Sequence, residues 1–158
     1  MKKLVILTML IASNVLLAAD DTSKFSVSSY VTVRSGEAPL SGDYNGGVGL
    51  EAAISLSKTF AVVVHGNIEN DLRGVLVDEA GATVKVSPFN IQAFTPYVRL
   101  GYAYSFNSLN HYGVGGVGGE VVAYKSIKLF SDINWYTDVE DLKHNGHAVV
   151  RIGGGISF

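Results

Sequence analysis

The chain has 158 residues, with 12 Lys+Arg against 14 Asp+Glu for a formal charge of −2, and it carries 18 glycines, eight tyrosines, seven phenylalanines, three prolines and no cysteine. This near-neutral balance without a basic run excludes nucleic acid as a partner, and the missing cysteine excludes a disulfide-held fold. The length suits one domain.

Lys2 and Lys3, the apolar stretch Leu4 to Leu17 and the small pair Ala18-Ala19 make residues 1–19 a secretory signal. An uncleaved anchor is the alternative, against which stand Thr8, Ser13 and Asn14 inside the apolar stretch. Leu16 or Leu17 before the cut is larger than usual, so the cut is fixed only to within a residue or so. Residues 20–158 then form a single domain, with a charge of −4 once Lys2 and Lys3 are gone. It holds no run of about eighteen apolar residues, as a helical span would need. Glycines and aromatics suit curved strands instead. Eight strands of about 10 residues leave about 59 for connections, whereas ten leave about 39, which is tight.

Lys24 to Arg34 is the first predicted strand, with Phe25, Val27, Val31 and Val33 on one face. Residues 35–45, SGEAPLSGDYN, read as a long loop. From Gly46 to Ser57, Val48, Leu50, Ala52, Ile54 and Leu56 alternate with Gly47, Gly49, Glu51, Ala53 and Ser55. After a short turn, Ser57-Lys58-Thr59, comes a strand from Phe60 to Glu69, with His65, Asn67 and Glu69 on the face opposite Val62, Val64 and Ile68. The stretch 70–94 is ambiguous. Thr83 to Ser87 is chosen as the fourth strand, with a loop over 70–82 before it and a short connection from Pro88 to Thr95. Pro96 to Phe106 alternates Val98, Leu100, Tyr102, Tyr104 and Phe106 with Tyr97, Arg99, Gly101, Ala103 and Ser105. A loop over 106–112 leads to a glycine-laden strand, Gly113 to Tyr124, with Glu120 inward. Lys125-Ser126 turns into Ile127 to Thr137, where Leu129, Ile133 and Trp135 oppose Asp132, Asn134 and Tyr136. A charged loop over 138–146 precedes the last strand, Gly146 to Phe158, GHAVVRIGGGISF.

That last strand places Ala148, Val150, Ile152, Ile156 and Phe158 on one face and Arg151 among small residues on the other. In a soluble sandwich the apolar face would turn to a core; in a membrane barrel it turns to lipid and the polar face to a lumen. The strand resembles the closing strand of bacterial outer-membrane β-barrels. The resemblance implies that Ile156 and Phe158 are the insertion signal read by the barrel-assembly machinery. FTPYVRLGYAY, residues 94–104, likewise resembles a strand after a short turn in such proteins. Over residues 46–69 and 94–158 the chain is similar to the class of the OmpA membrane domain, OmpX and the opacity-type proteins. The resemblance implies an all-β fold, an eight-stranded antiparallel up-and-down transmembrane β-barrel in the outer membrane. Its partners would be outer-membrane lipids and an extracellular ligand or host surface met by the loops, and its state monomeric. The class offers structural, adhesion, surface-interaction and minor-pore roles.

The candidate site is a lumen charge network of Glu51, His65, Glu69, Arg99, Glu120, Asp132 and Arg151. All sit mid-strand on the inward parity, and a charge turned to lipid near the midplane would cost about 2–4 kcal/mol. Arg99 and Arg151 are expected to pair with Glu51, Glu120 and Asp132 in one cluster, with His65 close by. The network either fills and fixes the barrel or forms a gated pore. Tyr102, Tyr104, Phe106, Tyr112, Trp135 and Tyr136 are expected in one interfacial belt, and Phe60, Phe94 and Phe158 in the other.

His111, His144 and His147 fall near the loop end, but their spacing matches no metal site, and no metal or cofactor is expected. His111 is followed by Tyr112-Gly113 rather than the His-x-Ser-Asn of lipid A deacylases, and Ser108 three residues before it makes a weak pair. No enzyme is expected. The alternatives are an outer-membrane lipid-modifying enzyme, such as a deacylase or acyltransferase barrel, and a soluble exported β-barrel binding a small apolar ligand.

Overall fold

The structure is a computed structural model that describes residues 25–35, 44–69, 78–140 and 146–158. The expected signal over 1–19 and most of the loops around 35–45, 70–82 and 138–146 lie outside the described residues.

Eight strands follow one another: β1 Phe25–Ser35, β2 Tyr44–Ser55, β3 Phe60–Glu69, β4 Glu79–Val86, β5 Phe94–Ser105, β6 His111–Tyr124, β7 Ile127–Asp138 and β8 Gly146–Ser157. Each pairs antiparallel with its sequence neighbours, and β8 returns to β1 to close the barrel. Closure removes both free edges, so every strand's backbone groups find a partner within the sheet. Strand period two then sorts the side chains. β7 shows the sorting cleanly: Leu129, Ile133 and Trp135 lie outside, while Phe130, Asp132, Asn134, Tyr136 and Asp138 are buried within.

The outer surface is apolar all the way round. Val31, Leu50, Val64, Val84, Leu100, Val117, Ile133 and Ile152, one from each strand, are all exposed, Leu100 at 65% and Leu50 at 63%. Fully burying one such side chain is worth about 1.5–3 kcal/mol, so a belt of this size left in water would be a heavy liability. The wall is built inside out relative to a soluble protein. Tyr102, Phe106 and Trp135 are exposed toward the loop end, and Phe60, Phe94 and Phe158 toward the turn end. Tyr112 and Tyr136 depart from the expected belt: they are buried inward, ring centroids 6.1 Å apart. Their parity decides this, since Tyr136 shares its face with Asp132 and Asn134.

Turn-end connections run from two residues between β6 and β7 to seven between β4 and β5, and the loop-end connection between β5 and β6 has five. Ser57 Oγ accepts from the Thr59 and Phe60 amides in the first short turn, and Lys125 takes a φ of 45° to make the tight Lys125-Ser126 reversal. The fourth strand is longer than the expected Thr83–Ser87, beginning at Glu79 and ending at Val86. Its outward residues include Ala80 and Ala82, which are too small to announce a strand by hydropathy.

Glycines on the inner face make room for neighbours. A β-carbon at Gly101 would lie 2.2 Å from the Ala82 carbonyl oxygen and 2.5 Å from Thr83 Cα, both backbone atoms of the adjacent strand. Gly101→Ala should therefore force the β4–β5 ladder apart, with a loss of about 1–3 kcal/mol. Urea titration of the barrel refolded in detergent measures it, and an unchanged midpoint would contradict the packing described.

Candidate functional site: the barrel lumen

An eight-stranded barrel has an interior just wide enough for its own side chains to fill. Its contents here fall into three levels between the loop end and the turn end.

The middle level is an ion quartet. Glu51 on β2 and Arg99 on β5 are three strands apart in the wall, so their contact runs across the interior, with Arg99 Nη2 donating to Glu51 Oε2 at 2.8 Å. Arg151 on β8 donates through Nε to Asp132 Oδ1 at 2.7 Å and through Nη2 to Asp132 Oδ2 at 2.5 Å. This two-point grip is the geometry that guanidinium and carboxylate favour. Two further contacts tie the pairs together, Arg151 Nη1 to Glu51 Oε2 at 3.4 Å and Arg99 Nη1 to Asp132 Oδ2 at 3.7 Å. Asp132 also accepts from the Tyr97 hydroxyl at 2.9 Å and from Asn134 Nδ2 at 2.6 Å. Arg99 is 1% exposed, Arg151 2% and Asp132 2%. Two cations and two anions balance, which makes burial of all four tolerable.

Aromatic faces complete the shell. The Arg151 guanidinium lies 4.9 Å from the Tyr30 ring centroid and that of Arg99 5.6 Å from Tyr97. The Tyr30 ring covers the position where a side chain on Gly49 would sit, and its hydroxyl donates to the Gly66 carbonyl at 3.2 Å.

Toward the loop end, His65 faces Glu79 with Nε2 to Oε1 at 3.6 Å, too long for a hydrogen bond. The Tyr136 hydroxyl also reaches Glu79. Above them Ala103, Tyr112, Val114, Tyr136 and Val149 make a buried apolar cluster. His147 stacks on Tyr136 at 4.9 Å with an interplanar angle of 11°, and Arg34 Nη2 donates to its Nδ1 at 3.2 Å. A cavity of about 240 Å³ opens here, lined by Arg34, Glu79, Asn107, Tyr112 and His147 among others.

The turn-end level holds Glu120. It does not join the quartet as expected. Lys85 Nζ donates to its Oε2 at 2.5 Å and Lys128 Nζ to its Oε1 at 3.4 Å. Strand position fixes which face a residue takes, but the tilt of the strands fixes its height. Glu120 pairs with Phe130, whereas Asp132 pairs with Gly118 and Arg99 with Gly116, so Glu120 sits nearer the turns. Lys85, Lys128 and Glu79 also bring charge into the lumen and are absent from the set expected from the sequence. Lys85 and Glu79 belong to the strand whose extent was ambiguous, and Lys128 lies one residue inside β7, where it resembles turn solvation. Glu69 ends β3 opposite Gly47, and its side chain lies outside the described residues.

Among the described residues no group of three or more His, Cys, Asp and Glu gathers as a metal site. His111 packs against Tyr102 and Tyr104, with its Nδ1 hydrogen-bonded to the Tyr102 hydroxyl, and Ser108 instead donates its amide to Ser105 Oγ at 3.3 Å. His144 lies outside the described residues.

No family model matches the chain, and no curated protein matches it in sequence. Solved structures do match in fold. Neisserial surface protein A superposes with a TM-score of 0.62 at 13% identity, covering 85% of this chain and 97% of that one. The N-terminal β-barrel domain of Pseudomonas aeruginosa OprF gives 0.60 at 14% identity, covering 84% and 97%. The attachment invasion locus protein Ail of Yersinia pestis, solved with the heparin analogue sucrose octasulfate, gives 0.53 at 10% identity, covering 85% and 96%. At these identities the likeness is one of fold: the small eight-stranded barrel of outer-membrane proteins.

Proposed function

We propose that the chain is an integral outer-membrane barrel, non-enzymatic, with a lumen held shut by its own side chains and loops presented at the cell surface for adhesion or another surface interaction. The observation that carries the membrane placement is the inverted wall, apolar on all eight strands outside and charged within. A soluble barrel holding a small apolar ligand would need an apolar interior, and here Arg99, Arg151, Glu51 and Asp132 occupy it. The fold neighbours support the reading, and one of them, Ail, is an attachment protein by its name. The signal at 1–19 supplies the export route.

A conducting pore is disfavoured by the same interior. The Arg99–Glu51, Arg99–Asp132 and Arg151–Glu51 contacts cross the lumen between strands that are not neighbours in the wall, and the aromatic cluster lies on their loop side. Planar bilayer recordings of the purified barrel should stay silent; steady ion conductance would reject the closed lumen.

The placement itself is tested by fractionation. The protein should appear in the outer-membrane fraction and run as a compact band in mild detergent that shifts on boiling. Recovery as a soluble periplasmic protein would end the reading.

A further inference from the structure

The turn-end level of the lumen is a cavity of about 530 Å³, within the size range of small-molecule sites. Three lysines reach it: Lys85 from β4, Lys128 from β7 and Lys58 from the β2–β3 turn. Among the described residues that line it, one carboxylate answers them. Glu120 accepts from Lys85 at 2.5 Å and from Lys128 at 3.4 Å, and among the described residues Lys58 makes no ion pair. The Lys85 and Lys128 side chains are only 15% and 32% exposed, so their charge is poorly screened by solvent. A walled cleft with an uncompensated charge concentrates its field on whatever ion enters. Its walls also carry hydroxyls, those of Ser26, Ser55 and Ser57. Ser57 Oγ already accepts two amide protons, so its own proton is left to donate.

We propose that this vestibule binds a phosphate group. Ammoniums and hydroxyls converging from several strands suit a tetrahedral anion that offers acceptors in several directions better than a planar carboxylate, which is served best by a fork of parallel donors. The bound phosphate takes the excess charge of Lys58 and Lys128, while Lys85 stays with Glu120 and over the Tyr97 ring, 4.5 Å from its centroid. Soluble phosphate compounds and the phosphate of a lipid headgroup at the barrel rim share this chemistry. The site belongs to the barrel interior, so it stands or falls apart from the surface role proposed above.

Inorganic phosphate titrated into the full barrel in octyl glucoside, followed by amide chemical shifts, should give saturable changes confined to residues around Ser87, Thr95 and Lys128. Each lysine removed, as Lys58→Gln or Lys128→Gln, should weaken binding about tenfold, the scale of one charge-assisted hydrogen bond. Glu120→Gln should tighten it, because a competing anion is gone. Lys58 is exposed, so Lys58→Gln keeps the test available if a deeper variant misfolds. Phosphatidylglycerol nanodiscs separate the sources. A lipid occupant produces the shifts without added phosphate and blocks further change, whereas a soluble one leaves phosphate effective in the bilayer. No saturable change in either medium, or changes that persist in the Lys58→Gln/Lys128→Gln variant, would overturn the site.

Discussion

Arg151→Ala should cost the barrel about 3–5 kcal/mol, the price of leaving a buried carboxylate without its cation. Asp132 loses two hydrogen bonds, at 2.7 and 2.5 Å, and Glu51 loses a contact at 3.4 Å. One guanidinium, that of Arg99, then faces two carboxylates. Asp132 keeps Tyr97, Asn134 and the 3.7 Å contact to Arg99, which places the expected loss toward the lower end of the range. Arg99→Ala should cost less, because Arg99 holds Glu51 by a single 2.8 Å bond and Arg151 remains within 3.4 Å of the same oxygen. Arg151→Met combined with Asp132→Asn restores neutrality and leaves the Glu51–Arg99 pair in place. It should recover most of the stability, since a buried ion pair is often replaceable by neutral groups of similar size. Urea unfolding in lipid vesicles measures all three variants. A double variant as unstable as the single one would mean that packing of the arginine stem, rather than charge balance, dominates the site.

The parts of this barrel readable beforehand are those where large and small residues alternate. In β2, β5 and β8 the outward Leu50, Leu100 and Ile152 stand beside the inward Glu51, Arg99 and Arg151, and the expected faces of these residues match those observed. Parity alone places Glu51, Arg99, Asp132 and Arg151 on one surface. It cannot say which of them meet. Following the pairing from Glu51 through His65, Gly81, Ala103 and Tyr112 leads to Asp138 on β7, not to Asp132. Contact between Glu51 and the Asp132 level arises only because tilted strands close on themselves and long side chains cross the space inside. That is a property of the closed barrel, absent from any one strand. β4 shows the other limit. Ala80, Gly81 and Ala82 give little contrast between faces, and the residues before them resemble loop, so Glu79 was hidden with the first half of the strand, whereas Lys85 falls within the expected Thr83–Ser87 and only its turn toward Glu120 was missed. Glu120 had the right face and the wrong height for the same geometric reason.

Loss of Phe158, by deletion or by Phe158→Asp, should strip most of the protein from the outer membrane and leave it aggregated in the periplasm. The seam between β1 and β8 joins the two ends of the sheet, and it is the last pairing that closure requires. At its turn end the Phe158 amide donates to the Phe25 carbonyl at 2.8 Å and the two rings stack with centroids 6.4 Å apart. An aspartate there sets a charge at the membrane interface where an aromatic ring is favoured, and it removes the contact that clasps the seam. Until the seam forms, both β1 and β8 expose unpaired backbone, which is the condition for aggregation. Two causes of failure can be told apart. If Phe158 serves recognition by the assembly machinery, the variant should still fold spontaneously into short-chain phosphatidylcholine vesicles, giving the heat-sensitive compact band, while failing in cells. If the ring mainly clasps the seam, folding into vesicles should slow as well, and Phe25→Ala should reproduce the defect. Normal insertion of the variant in cells would show that β8 is recognised and closed without its aromatic end.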